Sequence, residues 1–384
     1  MLNKTIALLL CLLTLAVPVL AQGSAVVAEI GGVQITRAEL DAAYDASYGD
    51  YAADDAQLAF DLRHELALRM LEEHAEMLMQ QKMGFDAHTQ QEIDEATAKA
   101  GEEYESYVEY FALMLDDGAM TDDELHELAH AYLVSIDMSL EDYTQQAVSA
   151  LADEKLRAWA LEGVSAGEEE IRAAYETMLQ DEQALYAAYP DSFLSTAYYG
   201  MPYLCVPEGV REIRQIVVRF DDDQTTEYAF LADAAAQGAD VAADLDALYT
   251  QLSPRVTEIL NQLDSGKPFA DVEMEYSDDW VLAEEGASGA YYVCAGAQLW
   301  APAFTEAAMA LTEPGQISGP VRMADGIHIL FYNADLAAGP VPYEQVRDYV
   351  AESVVYQLES QAYAAALDSW MDQLGAHVYL EELY

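Results

Sequence analysis

The stretch from Tyr276 to Asn333 constrains the fold most, because helix, turn and strand signals follow one another there at close spacing. Ile327, Ile329 and Phe331 alternate with His328 and Leu330 between turn residues, which predicts a strand. Phe304 to Leu311 predicts a short helix, stopped by Pro314 and Gly315. A helix, the Gly319-Pro320 turn and a strand then pack around an apolar hollow, with Trp300, Phe304 and Met323 expected to line it.

The chain on either side reads differently. Val27 to Ile35 alternates loosely around Gly31-Gly32 and predicts a hairpin-like start. Three capping boxes follow, at Thr36 to Glu39, Thr121 to Glu124 and Ser165 to Glu168, each pairing a hydroxyl with a glutamate that reaches back to the first backbone N–H. Leu62, Leu66 and Met70 step by four, and Leu71, Ala75 and Leu78 extend the stripe to a stop near Gly84. The region from Thr36 to Met178 is therefore expected to be helical. Pro190 to Pro207, rich in Tyr, Pro and Gly, predicts a linker. Ile213 to Phe220 predicts a strand, ended by a solvated turn at Asp221-Asp222-Asp223. Helical pieces are expected at Ala229 to Ala243 and Pro254 to Leu263, with part of 221–265 an insertion. After Pro340-Val341-Pro342, a long helix repeats Val346, Val350, Val354, Leu358 and Ala362 at four-residue steps. That stripe needs a packing partner.

Composition narrows the function classes. The chain has 384 residues, just over half of them apolar, which suffices for two cores. Sixteen Lys plus Arg against 70 Asp plus Glu give a net charge of -54. That charge opposes nucleic-acid binding, which needs cations to displace counterions, and opposes adhesion to anionic lipid. It suits cationic or unfolded clients, although most of the acids read as a solvated surface. Lys4, the apolar run from Ile6 to Leu15 and the small residues before Gln22 predict a secretory signal peptide over residues 1–21, too short for a stable membrane span. Cys11 lacks the small preceding residue of a lipidation site, so the sequence does not support a lipid anchor. Cys205 and Cys294 remain after cleavage, either paired or as two buried thiols.

Tyr276-Ser277-Asp278, the glycine-rich Gly286 to Gly289 turn, Phe304-Thr305-Glu306-Ala307, Gly315-Gln316-Ile317-Ser318-Gly319-Pro320-Val321 and Gly326-Ile327-His328-Ile329-Leu330 occur in the order and near the spacing of the parvulin family of peptidyl-prolyl isomerases, which this stretch resembles. Val27 to Glu39 resembles the opening of the SurA and PrsA foldases, and Val164 to Tyr175 the helix those proteins place ahead of their parvulin domain. The resemblance implies an α+β chain: a mostly helical chaperone module, built from N-terminal helices and the C-terminal helix, with an inserted parvulin-like α/β domain. It implies a helical domain over 22–190, a linker over 191–206, the isomerase domain over 207–336, and a helix in 340–384 packing on the N-terminal domain.

The same resemblance implies a site. Asp279 falls at the family's Cys/Asp position and His328 at its second histidine, with Trp300 and Phe304 on the proline cup and Met323 facing it. The first histidine is replaced by Gln215, in Arg214-Gln215-Ile216-Val217-Val218. Glutamine keeps hydrogen-bonding capacity but cannot become cationic. The residues alone leave other readings open: His328 as a satisfied core histidine, Asp279 as a turn or cap residue, Trp300 and Phe304 as core. The implied function is an exported foldase that isomerises X-Pro bonds in unfolded or folding exported polypeptides, without cofactor or metal. A holdase with a degraded parvulin domain is the alternative.

His126-Glu127-Leu128-Ala129-His130 also matches the H-E-x-x-H pattern of zinc proteases, which puts two imidazoles on one helix face. The extended motif is absent, since Leu133 and Ile136 replace its glycine and third histidine, and Glu141 or Glu154 are the candidate third ligands. No glycine-rich phosphate loop is present.

Overall fold

A computed structural model describes residues 25–49, 51, 55–116, 120–279 and 289–384; the leader at 1–21 and the Gly286-Ala287-Ser288 turn lie outside the described residues. The chain forms two compact units, one of residues up to 165 with 357–384, the other of 166–356.

In the first unit, β1 (Val26–Ile30) and β2 (Val33–Thr36) form the expected hairpin. Gly31 and Gly32 turn it at φ of +56° and +87°, values that a two-residue turn requires and that suit glycine. Thr36 then caps α1 (Arg37–Tyr48) with the full reciprocal box to Glu39. Next come α2 (Ala56–Met83), α3 (Gln90–Leu115), α4 (Asp122–Ser135), α5 (Leu140–Ser149) and α6 (Leu151–Ala160). Gly84 closes α2 in the left-handed conformation, and Thr121 caps α4 through Glu124. A further box, Thr89 with Glu92, starts α3. The core joins β1, β2, α1 and α2 through Ile30, Ile35, Leu40, Leu66 and Leu71. The last turns of the C-terminal helix enter it as well, with Trp370 buried and Tyr363, Leu367 and Leu374 packed alongside.

The second unit opens with α7 (Glu168–Ala188) and α8 (Pro190–Tyr198). The third capping box does not form. Gly167 holds the cap position of α7 without a side-chain bond, and the Glu168 carboxylate instead accepts from the Tyr343 hydroxyl and Arg347. Residues 191–206, expected as a linker, hold α8 and β3 (Cys205–Val206) instead. Pro190 starts a helix there because its missing N–H is unneeded in a first turn, and Phe193 and Leu194 are fully buried.

The centre of this unit is a four-stranded sheet. β4 (Arg211–Arg219) leads to α9 (Asp222–Ala236), α10 (Ala242–Asp264) and α11 (Phe269–Tyr276). The strand β5 (Tyr291–Val293), α12 (Pro302–Ala310), β6 (Val321–Met323) and β7 (Gly326–Asp335) follow, then β8 (Gly339–Pro340) beside β3. The strand order is β5-β4-β7-β6, with every pairing antiparallel. The triple aspartate is a helix cap rather than a plain turn, since Asp221 and Gln224 form a capping box on α9. Helix α10 continues through Pro254, where the sequence reading began a helical piece. Leu248 and Leu252 before it and Val256 and Ile259 beyond it are all buried in one core, and that burial outweighs the lost backbone bond.

The long helix α13 (Tyr343–Leu374) contributes its first half to the second unit, where Val346, Val350 and Val354 are buried. It is followed by β9 (His377–Val378), which extends the first unit's sheet to β2-β1-β9. Among the described residues, no helix is long and apolar enough to cross a membrane.

Candidate functional site

The two central strands create the site by their register. Gln215 pairs with Leu330 and Val217 with His328, so odd positions of β4 and even positions of β7 share one face. That face carries Ile213, Leu330 and Tyr332 under α12 and also the polar Gln215 and His328. The opposite face, with Ile216, Val218, Ile327 and Ile329, is covered by α9, α10 and α11.

Asp279 is brought in by a short segment pinned against β4. The Val217 N–H donates to Ser277 Oγ at 3.0 Å, and the Asp278 N–H to the Val217 carbonyl at 2.8 Å. Asp278 in turn accepts from the Arg219 N–H at 3.0 Å and from both ends of the Arg255 guanidinium at 2.7 and 2.8 Å. These bonds leave Asp279 facing inward, 6% exposed, beside Gln215 and His328, each 5% exposed.

The three form one hydrogen-bonded chain. Gln215 Nε2 donates to Asp279 Oδ2 at 2.8 Å, and His328 Nδ1 lies 2.7 Å from Gln215 Oε1. The Tyr291 hydroxyl donates to the same Asp279 oxygen at 2.8 Å, and His328 Nε2 lies 2.9 Å from Asp325 Oδ1. A carboxylate only accepts, so Asp279 fixes which end of the Gln215 amide faces it. The amide oxygen then faces His328, and both imidazole nitrogens meet oxygen acceptors. The chain is complete when both ring nitrogens carry protons. Burial, reinforced by the bond to Asp279, pushes the Tyr291 hydroxyl up and keeps it a donor. The hydrogen bond from His328 holds the Asp325 carboxyl below its ordinary range.

Asp325 reaches His328 from the two-residue turn between β6 and β7. Gly326 at the end of that turn has φ of +146°, and a Cβ there would lie 2.1 Å from the Val218 carbonyl. The Gly315 to Pro320 loop is held on the other side, where Ser318 donates to and accepts from the Leu330 backbone, both at 2.8 Å.

An aromatic group stands over the same sheet face. Trp300 and Phe304 have ring centroids 6.1 Å apart, and Tyr291 packs against both at 5.1 and 5.7 Å. Tyr198, from the segment expected to be a linker, meets Trp300 edge-on at 4.9 Å. Phe304 is buried, whereas Trp300 and Met323 are half-buried and offer surface to a ligand. The Trp300 indole N–H donates to the Tyr292 carbonyl at 2.7 Å, which sets the ring's orientation. The structure thus brings together all six expected residues around one sheet face, and adds Tyr291, Tyr198 and Asp325.

Residues 241–334 match the rotamase family of PPIC-type PPIase domains. The chain carries a parvulin-type rotamase domain. The match begins just before α10, so β4 and Gln215 belong to the domain by sheet register. The foldase protein PrsA of Oceanobacillus iheyensis is 38% identical over 78 residues, covering 20% of this chain and 25% of that protein. The chaperone SurA of Ralstonia nicotianae is 36% identical over 115 residues, covering 29% of this chain and 21% of that protein. The chain thus matches about a quarter of the length of these curated relatives. The crystal structure of PrsA from Bacillus subtilis aligns over 91% of this chain and 92% of that one, at 15% identity and a TM-score of 0.24.

Two other groups in the rotamase unit bear on chemistry. Cys205 and Cys294 are free, buried thiols that line one cavity of about 510 Å³ with Tyr186 and Arg211. Burial pushes Cys205 up to about 11 and raises Cys294 too, which keeps both as neutral thiols. Glu273 on α11 is fully buried against Arg214, and burial raises it to about 7 although the guanidinium opposes the shift.

In the other unit, His126 and His130 sit on α4 as expected. Their nearest carboxylate is neither Glu141 nor Glu154 but Glu105 of α3.

Proposed function

We propose that the rotamase domain catalyses cis–trans isomerisation of X-Pro bonds in unfolded, exported polypeptides, and that the rest of the chain holds such clients. The observation that carries this reading is Tyr291, whose ring packs on Trp300 and Phe304 while its hydroxyl bonds Asp279. It joins an apolar cup to a buried polar chain, the two parts that the reaction needs.

The reaction breaks no covalent bond. Its barrier of about 20 kcal/mol reflects the loss of amide resonance as the C–N bond twists. A twisted amide is less polar than a planar one, so a site that strips water from the carbonyl favours it. Trp300, Phe304 and Met323 hold the proline ring. Asp279, Gln215, His328 and Tyr291 form a fixed set of dipoles beside it that needs no reorganisation as the bond turns. No electron or proton leaves the peptide, so the reaction requires no metal or cofactor.

A prolyl-isomerisation assay on short peptides tests this. The rate should exceed the uncatalysed one and be lost on Trp300→Ala or His328→Ala. A rate no different from uncatalysed would overturn the catalytic reading.

One observation favours a second reading, a holdase without catalysis. Gln215 makes the hydrogen-bond chain one-directional, because its amide ends cannot exchange donor and acceptor roles as two imidazoles can. If the site is degraded, Gln215→His should raise the isomerase rate greatly, while the unaltered protein suppresses aggregation of a model client without isomerase activity. Substantial and equal activity in both forms removes the holdase reading.

We also infer that the helical module is discontinuous in sequence, with the isomerase domain inserted between its parts. The division of the chain, which returns residues 357–384 to the N-terminal unit, supports that organisation. The leader-like residues 1–21 and the foldase names of the relatives support export.

A further inference from the structure

We propose that Glu105, His126 and His130 form a binding site for one divalent transition-metal ion of the zinc class, separate from the rotamase domain. Helices α3, α4 and α5 close a small core around Tyr104, Val108, Ala129 and Leu133. Leu125, Ala129 and Leu133 bury one stripe of α4, which fixes the helix. His126 and His130 stand one turn apart beside that stripe, so their imidazoles leave the helix together, with ring centroids 4.9 Å apart. Glu105 of α3 meets them, and its carboxylate bonds His126 Nε2. One donor atom from each of the three lies within 4.8 Å of the other two. Despite the 70 acidic residues of this chain, this is the one such group among the described residues.

The donor set is selective. Two imidazoles and a carboxylate suit Zn²⁺, which commonly takes three protein ligands and leaves the fourth position to water. Calcium and magnesium prefer all-oxygen shells. Donors around a tetrahedral zinc lie roughly 3.3 Å apart, given bonds of about 2 Å, so the widest pair must close by at most about 1.5 Å while the hydrogen-bonded His126 and Glu105 atoms part to admit the ion. The side chains can supply that, because His126 and Glu105 are 42% and 48% exposed while the α4 backbone is held by its buried stripe. A plain His126–Glu105 ion pair would not need the third donor at the same point. The ion would tie α3 to α4 and stiffen the helical unit. Glu127 is exposed and outside the donor set, so binding does not depend on it.

The test uses the full chain, stripped of metal and titrated with Zn²⁺ by calorimetry. One equivalent should bind and raise the melting temperature, whereas Mg²⁺ should not. His126→Ala and His130→Ala should each weaken binding by about a hundredfold or more, since even outer-shell partners of a metal carry about 10–100-fold. Glu127→Gln should bind as the unaltered chain does. A second measurement needs no variant: Co²⁺ added to the unaltered chain should give the intense visible absorption of a four-coordinate ion. Weak binding at many sites, no visible Co²⁺ band, or an affinity unchanged in the His126→Ala/His130→Ala double variant would overturn the site.

Discussion

The two faces of the β5-β4-β7-β6 sheet are built from the same strands, yet they bury different chemistry. Under α9, α10 and α11 the face is almost wholly aliphatic and aromatic, with the fully buried Glu273 carboxylate paired to Arg214. Under α12, residues of the same two strands bury Gln215 and His328 among Ile213, Leu330 and Tyr332. Buried polar groups add cost unless each finds a partner. On the α12 face every member of the chain from Asp279 to Asp325 has one. The helical face is thus a device for stability. The α12 face gives up apolar burial for a fixed array of dipoles next to an aromatic cup.

The largest effect should come from the β4–β7 ladder on which both faces are built. Gly326→Ala would drive a Cβ into the Val218 carbonyl and disrupt the β4–β7 ladder. We expect a loss on the order of 4 kcal/mol or more, or failure of the domain to fold. Urea melting of the full chain measures it. A shift below 1 kcal/mol, about the size of an ordinary surface change, would show that the turn relaxes.

Next, Ile216→Ala and His328→Ala separate the faces. Ile216 is fully buried on the helical face, so its truncation should cost about 2–5 kcal/mol and leave peptide isomerisation per folded molecule unchanged. His328→Ala strands Gln215 Oε1 and should cost about 1–3 kcal/mol, with the isomerase rate reduced at least about tenfold, since it removes part of the preorganised array. Equal losses of activity in the two variants would erase the contrast.

Asp279→Asn should be milder. Tyr291 and Gln215 share one Asp279 oxygen, so the amide oxygen of the variant can still accept from both, and what is lost is the charge on the acceptor, for about 1 kcal/mol or more. Phenol exposure of Tyr291, followed by ultraviolet titration, should rise with the change. An unchanged titration would mean that Tyr291 is held by packing alone.

The smallest effect concerns pH and the helical face. Glu273 is raised from 4.5 to about 7, so the folded chain holds its proton more tightly than the unfolded chain. Its stabilising contribution is complete below about pH 4.5 and is lost as pH rises to about 7. Other carboxylates, such as Asp325, are held low and slope the opposite way. The comparison is therefore the stability difference between the unaltered chain and Glu273→Gln, which should change steadily across that window and flatten above it. A constant difference would place the burial cost wholly on the charged pair at every pH.

Much of the local structure was legible in the residues alone. The Gly31-Gly32 hairpin, the boxes at Thr36 and Thr121, the stop at Gly84 and the strand through His328 all follow from signals within a few residues of each other. The six candidate site residues were singled out only through motif order. Tyr291 and Asp325 were missed. Asp325 had a weak signal, three residues before His328 at the entry to its strand, whereas nothing near Tyr291 marks it as the partner of Asp279.

By itself, the sequence determined the elements and their ends, because helical period, strand alternation and caps act over one or two turns of chain. Tertiary structure decided which side chains meet. The bond from His328 to Gln215 spans 113 residues, and that from Glu105 to His126 joins two helices across 21. It also overruled local signals: Ser165 lost its box while Glu168 turned to Tyr343 and Arg347, and Pro254 stayed inside a helix. A local preference is worth about a kilocalorie per residue. Burying several large side chains together is worth more, and only the closed chain sets which ones are buried.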